Sequence, residues 1–161
     1  VAKSGLTFKV SIKGLRETLA AFRELPKEAN AELRTRTREL ADKVAQSAEA
    51  AGIRSGAQAA LVARTVKARR DRVPSVQAGG GARLGRNGSP AYALLFGSEF
   101  GMNEHSGWYG KPRYDESTGF QYHPHTGTIG LWFFPTVERE APAIADAWDK
   151  VAADIIARFG A

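Results

Sequence analysis

The sequence predicts an α+β fold in one domain, residues 1–161: a small antiparallel sheet packed against a long central helix and a long C-terminal helix, with an extended loop excursion over 102–131. Three patterns carry this expectation. Leu6, Phe8, Val10 and Ile12 alternate with Thr7, Lys9, Ser11 and Lys13, the period-2 signature of a half-buried strand. Leu33, Leu40, Val44, Ala48 and Ala51 share one face of a helix over 27–51. Val137, Ala141, Ile144, Trp148, Val151 and Ile155 recur at steps of four and three, close to a heptad seam.

Taken in order, the strand over 6–13 stops at Gly14. Leu15, Leu19, Phe22 and Leu25 then mark a short helix that Pro26 ends. The long helix follows, with Glu32 to Arg36 and Glu39 to Lys43 in the favourable i,i+4 order on its wet face and Gly52 as its expected C-cap. Ala57 to Ala63 reads as a short helix. Val66 and Ala68, then Val76 and Ala78, suggest two short strands, 65–73 and 75–79, on either side of Pro74. From Gly79 to Pro90 there are five glycines in twelve positions, which reads as a mobile loop. Ala91 to Phe100 reads as a short apolar helix ending near Gly97 to Gly101. The excursion over 102–131 lacks clean periodicity and holds Trp108, Tyr109, Tyr114, Phe120 and Tyr122; so long a loop in a compact domain points to function or disorder. Trp132-Phe133-Phe134-Pro135 opens the last helix, where proline suits the first turn. Its short seam fits a pairing with residues 27–51 of the same chain better than a free coiled coil.

Composition removes several classes of function. With no cysteine among its 161 residues, the chain has no disulfide, thiolate zinc site, iron–sulfur cluster or thiol nucleophile. No apolar run approaches the ~20 residues that span a bilayer, and Val-Ala-Lys-Ser is no signal peptide, so the expectation is an intracellular protein without a membrane partner. The formal net charge of +6 is unevenly placed. Residues 1–90 carry 18 basic and 8 acidic side chains, a balance of +10, whereas residues 91–161 carry 5 and 9, a balance of −4. Arg64, Lys67, Arg69, Arg70, Arg72, Arg83 and Arg86 face only Asp71 within 61–90. A chain with two such halves can join a neighbour head to tail, and the arginine window can meet nucleic acid or an acidic protein.

No catalytic machinery is visible. His105, His123 and His125, near Glu104 and Asp115, are of metal-ligand type, but His-Pro-His is no recognised ligand spacing and no His pair sits on a helix. The glycine run is followed by Asn87-Gly88-Ser89-Pro90, without the lysine of a phosphate loop. Glu99, Glu104, Asp115 and Glu116 form no pair with a nucleophile or oxyanion donor, and no serine lies in a nucleophile elbow. The expectation is a non-enzyme without metal or cofactor. Arg69, Arg70, Arg72, Arg83 and Arg86 are the candidates for contact with a partner or with DNA, more suited to lining a passage than to reading sequence, since no helix-turn-helix, zinc-finger or basic-zipper pattern surrounds them.

The order of motifs adds a resemblance. Gly14-Leu15 with Leu19, the alanine-rich long helix, Ile53-Arg54-Ser55-Gly56, a basic strand pair, Tyr92-Ala93 through Gly97-Ser98-Glu99-Phe100-Gly101, and Phe133-Phe134-Pro135-Thr136-Val137-Glu138 follow one another. This series resembles the neck and tail-completion family of long-tailed bacteriophages, the minor tail protein Z-like proteins, over about residues 14–159. Two departures are Ala57-Gln58-Ala59-Ala60 after Ser55-Gly56, and an excursion longer than the family's usual link. The resemblance implies a structural virion protein, made in the bacterial host cytoplasm, that forms a ring, six-fold by preference, in the head–tail connector. Its neighbours would be head-completion and tail-terminator or tail-tube proteins, with DNA passing nonspecifically through the lumen. On this reading Tyr92, Glu99, Phe100, Trp108 and Tyr109 lie at a subunit interface. The other reading is a basic DNA-binding protein of a mobile element.

Overall fold

The computed structural model describes residues 5–102, 123 and 130–160. Its fold is α+β, with a small antiparallel sheet, a long central helix and a long C-terminal helix. The elements in chain order are β1 (Gly5–Lys9), α1 (Leu15–Arg23), α2 (Lys27–Ser55), α3 (Ala57–Ala63), β2 (Lys67–Ala68), β3 (Ser75–Gly79), β4 (Arg83–Leu84), β5 (Ser89–Pro90), α4 (Ala91–Phe100) and α5 (Phe133–Phe159).

The three-stranded sheet has the order β1-β3-β2, antiparallel throughout, with Phe8 opposite Val76 and Ala68 opposite Val76 on its other side. The first strand is shorter than the alternation suggests. Lys9 pairs with Ser75, and the next position on β3's side is Pro74, which has no N–H to offer. Only the Val10 N–H continues across, to the Pro74 carbonyl at 3.0 Å. Val10 and Ile12 stay buried all the same, so the period-2 pattern reports burial beyond the end of the ladder. The same proline, with the turn that precedes it, cuts the expected strand 65–73 to Lys67–Ala68.

The central helix packs against α5, α3 and the strands β2 and β3. Its buried face is Ala29, Leu33, Thr37, Ala41, Val44, Ala45, Ala48 and Gly52, small enough for close approach. Facing it, α5 buries Phe133, Val137, Ile144, Trp148, Val151 and Ile155. The two run antiparallel: Gly52 lies beside Trp132, Thr37 hydrogen-bonds Trp148, and Arg36 pairs with Asp154 at 2.6 Å. Trp148 Nε1–H is shared between Thr37 Oγ1 at 3.1 Å and the Arg72 carbonyl at 2.8 Å, which ties α5, α2 and the turn before β3 at one buried point. Glu32, Arg36, Asp154 and Arg158 form an exposed ionic cluster across the same pair of helices. Such pairs add little stability but are consistent with only one helix register.

Two expectations about glycine are corrected. Gly52 does not cap α2, which continues to Ser55. It is an interior glycine where a Cβ would stand 2.7 Å from the Ala63 Cβ and 2.9 Å from Trp132 Cε3. Gly52→Ala should therefore destabilise. Helix propensity favours alanine by about 1 kcal/mol, but overpacking costs about 1–3 kcal/mol and wins. Thermal melting of the variant checks the sign. The second correction concerns Gly79 to Pro90, expected as a mobile loop. It folds into a two-stranded ribbon, β4 with β5, because Gly85 and Gly88 at φ 71° and 61° supply the left-handed turn residues that bring Leu84 opposite Ser89.

Candidate protein and nucleic-acid interface

Glu99 organises the region. No Ser, Thr, Asp or Asn stands at the start of α5; the residues there are Trp132, Phe133, Phe134 and Pro135. The first N–H groups of a helix need acceptors. Glu99, at the end of α4, supplies them from 33 residues away: Oε2 accepts from Trp132 N at 3.2 Å and Phe133 N at 2.7 Å, and Oε1 from Phe134 N at 2.9 Å. The next residue is proline, so no orphan N–H is left in that turn. The Glu99 carbonyl accepts from Leu131 N at 2.7 Å, and Trp132 Nε1–H donates to Ser98 Oγ at 3.3 Å. A Cβ on Gly130 would collide with Glu99 Oε1, so the clasp requires glycine there. Burial pushes the Glu99 pKa up; the three N–H donors pull it back, the Glu138 charge adds to the rise, and the net position is above the ordinary 4.5. Glu99 is fully buried within its own chain. Its carboxylate is unavailable to a neighbour because α5 occupies it.

Beside this clasp, α4 shows an aromatic face. Tyr92 and Phe96 lie one helical turn apart and are 42% and 46% exposed, with Phe100 a further turn on and half-buried. Phe100 sits between Phe96 and Phe134 with ring centroids 6.1 Å from each, and Phe134 meets Phe133 at 5.4 Å, so aromatic contact runs from the surface into the core. Tyr92 and Phe96 are therefore the accessible part of the face. The start of α4 is also bound to the ribbon, Ala91 N–H donating to the Ala82 carbonyl at 2.8 Å, with Arg83 opposite Pro90 and Arg86 in the turn of the ribbon. Both arginines are exposed, and Arg83 Nη1 reaches the Gly88 carbonyl at 3.0 Å.

The arginine window does not form one patch. Arg69, Arg70 and Arg72 lie in the turn leading to Ser75, whereas Arg83 and Arg86 follow Gly79 at the other end of β3, a strand about 17 Å long at ~3.4 Å per residue. At the Ser75 end the structure adds two cations that local sequence could not assign. Lys9 pairs with Asp71 at 3.3 Å, and the Arg34 charge on α2 also acts on Asp71. Burial pushes the Asp71 carboxyl up, but the Arg72 N–H, Lys9 and Arg34 outweigh it and hold the group below its usual range. Arg69 and Arg70 are exposed there, while the Arg72 backbone serves the core through Trp148.

A groove opens at the far end of α2, lined by Ala51, Arg54, Ser55, His123, Leu131, Trp132, Pro135, Thr136 and Arg139. His123 Nε2 contacts the Ser55 carbonyl, and the His123 carbonyl accepts from Met102 N at 2.9 Å. Among the described residues no cluster of histidine and carboxylates could hold a metal ion, and no helix is long and apolar enough to cross a membrane. Trp108 and Tyr109, the other aromatics of the excursion, His105 and His125 lie outside the described residues. Compared with protein-family models, curated proteins and solved structures, the chain matches none.

Proposed function

We propose that this chain is a structural protein of a tailed-phage particle, a ring subunit of the head–tail connector that joins or completes the tail and lets DNA pass. The observation that carries the reading is the exposed Tyr92–Phe96 face of α4. Two large aromatic side chains one turn apart on a wet helix are characteristic of a protein contact. A closed ring needs two different patches that meet head to tail, and the −4 balance of residues 91–161 against the +10 of residues 1–90 suits such a contact. The motif order from Gly14-Leu15 to Phe133-Phe134-Pro135-Thr136-Val137-Glu138, similar to the minor tail protein Z-like proteins, supports the same reading.

The second reading, a basic DNA-binding protein of a mobile element, is favoured by the cluster of Lys9, Arg34, Arg69, Arg70 and Arg72. Duplex binding measured against salt separates the two. A connector subunit should bind a random duplex weakly, at about 10⁻⁴–10⁻⁶ M near physiological salt. Binding about a thousandfold tighter to a preferred sequence, lost in Arg69→Glu with Arg70→Glu, would favour the DNA-binding protein and refute the connector.

A further inference from the structure

The groove at the end of α2 has a chemistry that the connector reading does not use. Its volume is about 560 Å³. Its apolar lining, which we call the floor, is Ala51, Leu131, Trp132 and Pro135. Its rim carries Arg54 from α2 and Arg139 from α5, both exposed and neither in an ion pair among the described residues. Among the described residues no carboxylate lines it. His123 is turned to the Ser55 carbonyl and the Thr136 hydroxyl donates to the Trp132 carbonyl at 2.7 Å, so among the described residues the uncommitted charge in the groove is guanidinium.

We propose that this groove docks an acidic segment of another protein, a carboxylate bridging Arg54 and Arg139 while a neighbouring aliphatic side chain lies on the floor. Charge complementarity names the anion, since guanidinium pairs with carboxylate through parallel N–H donors. The floor and the open side name the rest of the ligand: an extended chain with an apolar side chain, part in the groove and part outside it. A nucleic acid fits poorly, because single strands use a continuous basic track and free aromatic faces, and the Trp132 ring is 2% exposed. The proposal is independent of ring formation.

The test uses the full isotope-labelled chain, titrated with a short capped peptide of glutamate and leucine spaced by serine. Its lysine-for-glutamate counterpart and oligothymidylate are the comparisons, read by backbone amide shifts. The acidic peptide should give saturable shifts at Ser55, Leu131, Trp132 and Thr136. Arg54→Glu with Arg139→Glu should weaken it at least about tenfold, about 1.4 kcal/mol, leaving the amide shifts of the sheet unchanged. Raising the salt should weaken binding in the wild type. The absence of saturable shifts in the groove, or equal occupancy by the lysine peptide or oligothymidylate, would overturn the proposal.

Discussion

Glu99→Ala should lower the melting temperature by about 6–12 °C, from a loss of about 3 kcal/mol at about 2–4 °C per kcal/mol for a chain of this size. Truncation strands the N–H groups of Trp132, Phe133 and Phe134 in a buried site and unties α4 from the start of α5. Glu99→Gln keeps the shape but sets an NH2 group against a backbone donor, so it should fall between alanine and wild type. The glutamine variant also isolates the effect of titration. The folded chain raises the Glu99 pKa above 4.5, so it holds this proton more tightly than the unfolded chain. The stabilisation from protonation is complete below the ordinary value and is lost as pH rises through the raised one. The melting difference between wild type and Glu99→Gln should therefore grow on acidification across the interval from the raised pKa down to 4.5. A constant difference across that interval would contradict the account.

Tyr92→Glu combined with Phe96→Glu should abolish self-association without unfolding the subunit. Buried interface aromatics contribute about 2 kcal/mol or more each when truncated, so the pair should weaken assembly by about a thousandfold or more. Exposed positions change folding stability little, about 0.5 kcal/mol each, and Phe96 also loses its stacking on Phe100. Sedimentation and melting on the same sample separate the two effects. Phe100 is the poorer probe, since its ring also packs on Phe134, and Phe100→Ala would lower stability and assembly together.

The elements that could be read from the sequence were those whose burial is periodic. Leu33, Val44 and Ala48 on α2, and Val137, Ile144, Trp148, Val151 and Ile155 on α5, are buried at the positions their spacing predicts. Features set by contacts distant in the chain were not legible. Gly52 looks like a helix stop until Ala63 and Trp132 are seen against it. Arg34 joins the basic cluster only because α2 passes Asp71. Nothing beside Glu99 in the sequence tells that its carboxylate serves the start of α5. A signal for its true place was present: a helix starting Trp132-Phe133-Phe134-Pro135 has no acceptor of its own and needs one from elsewhere. The i,i+4 spacing of Tyr92, Phe96 and Phe100 was equally visible in the sequence, but which of the three is wet depends on where Phe134 packs.

The central claim is that the α4 face is covered by another copy of the chain in a closed ring. Cryo-electron microscopy of the full chain, coexpressed with the products of the genes flanking its own, tests it most directly. The account predicts rings of one fixed stoichiometry around an open lumen, with Tyr92 and Phe96 buried at each subunit boundary. Particles in which the chain stays single, or rings in which Tyr92 and Phe96 face open solvent in every copy, would contradict it.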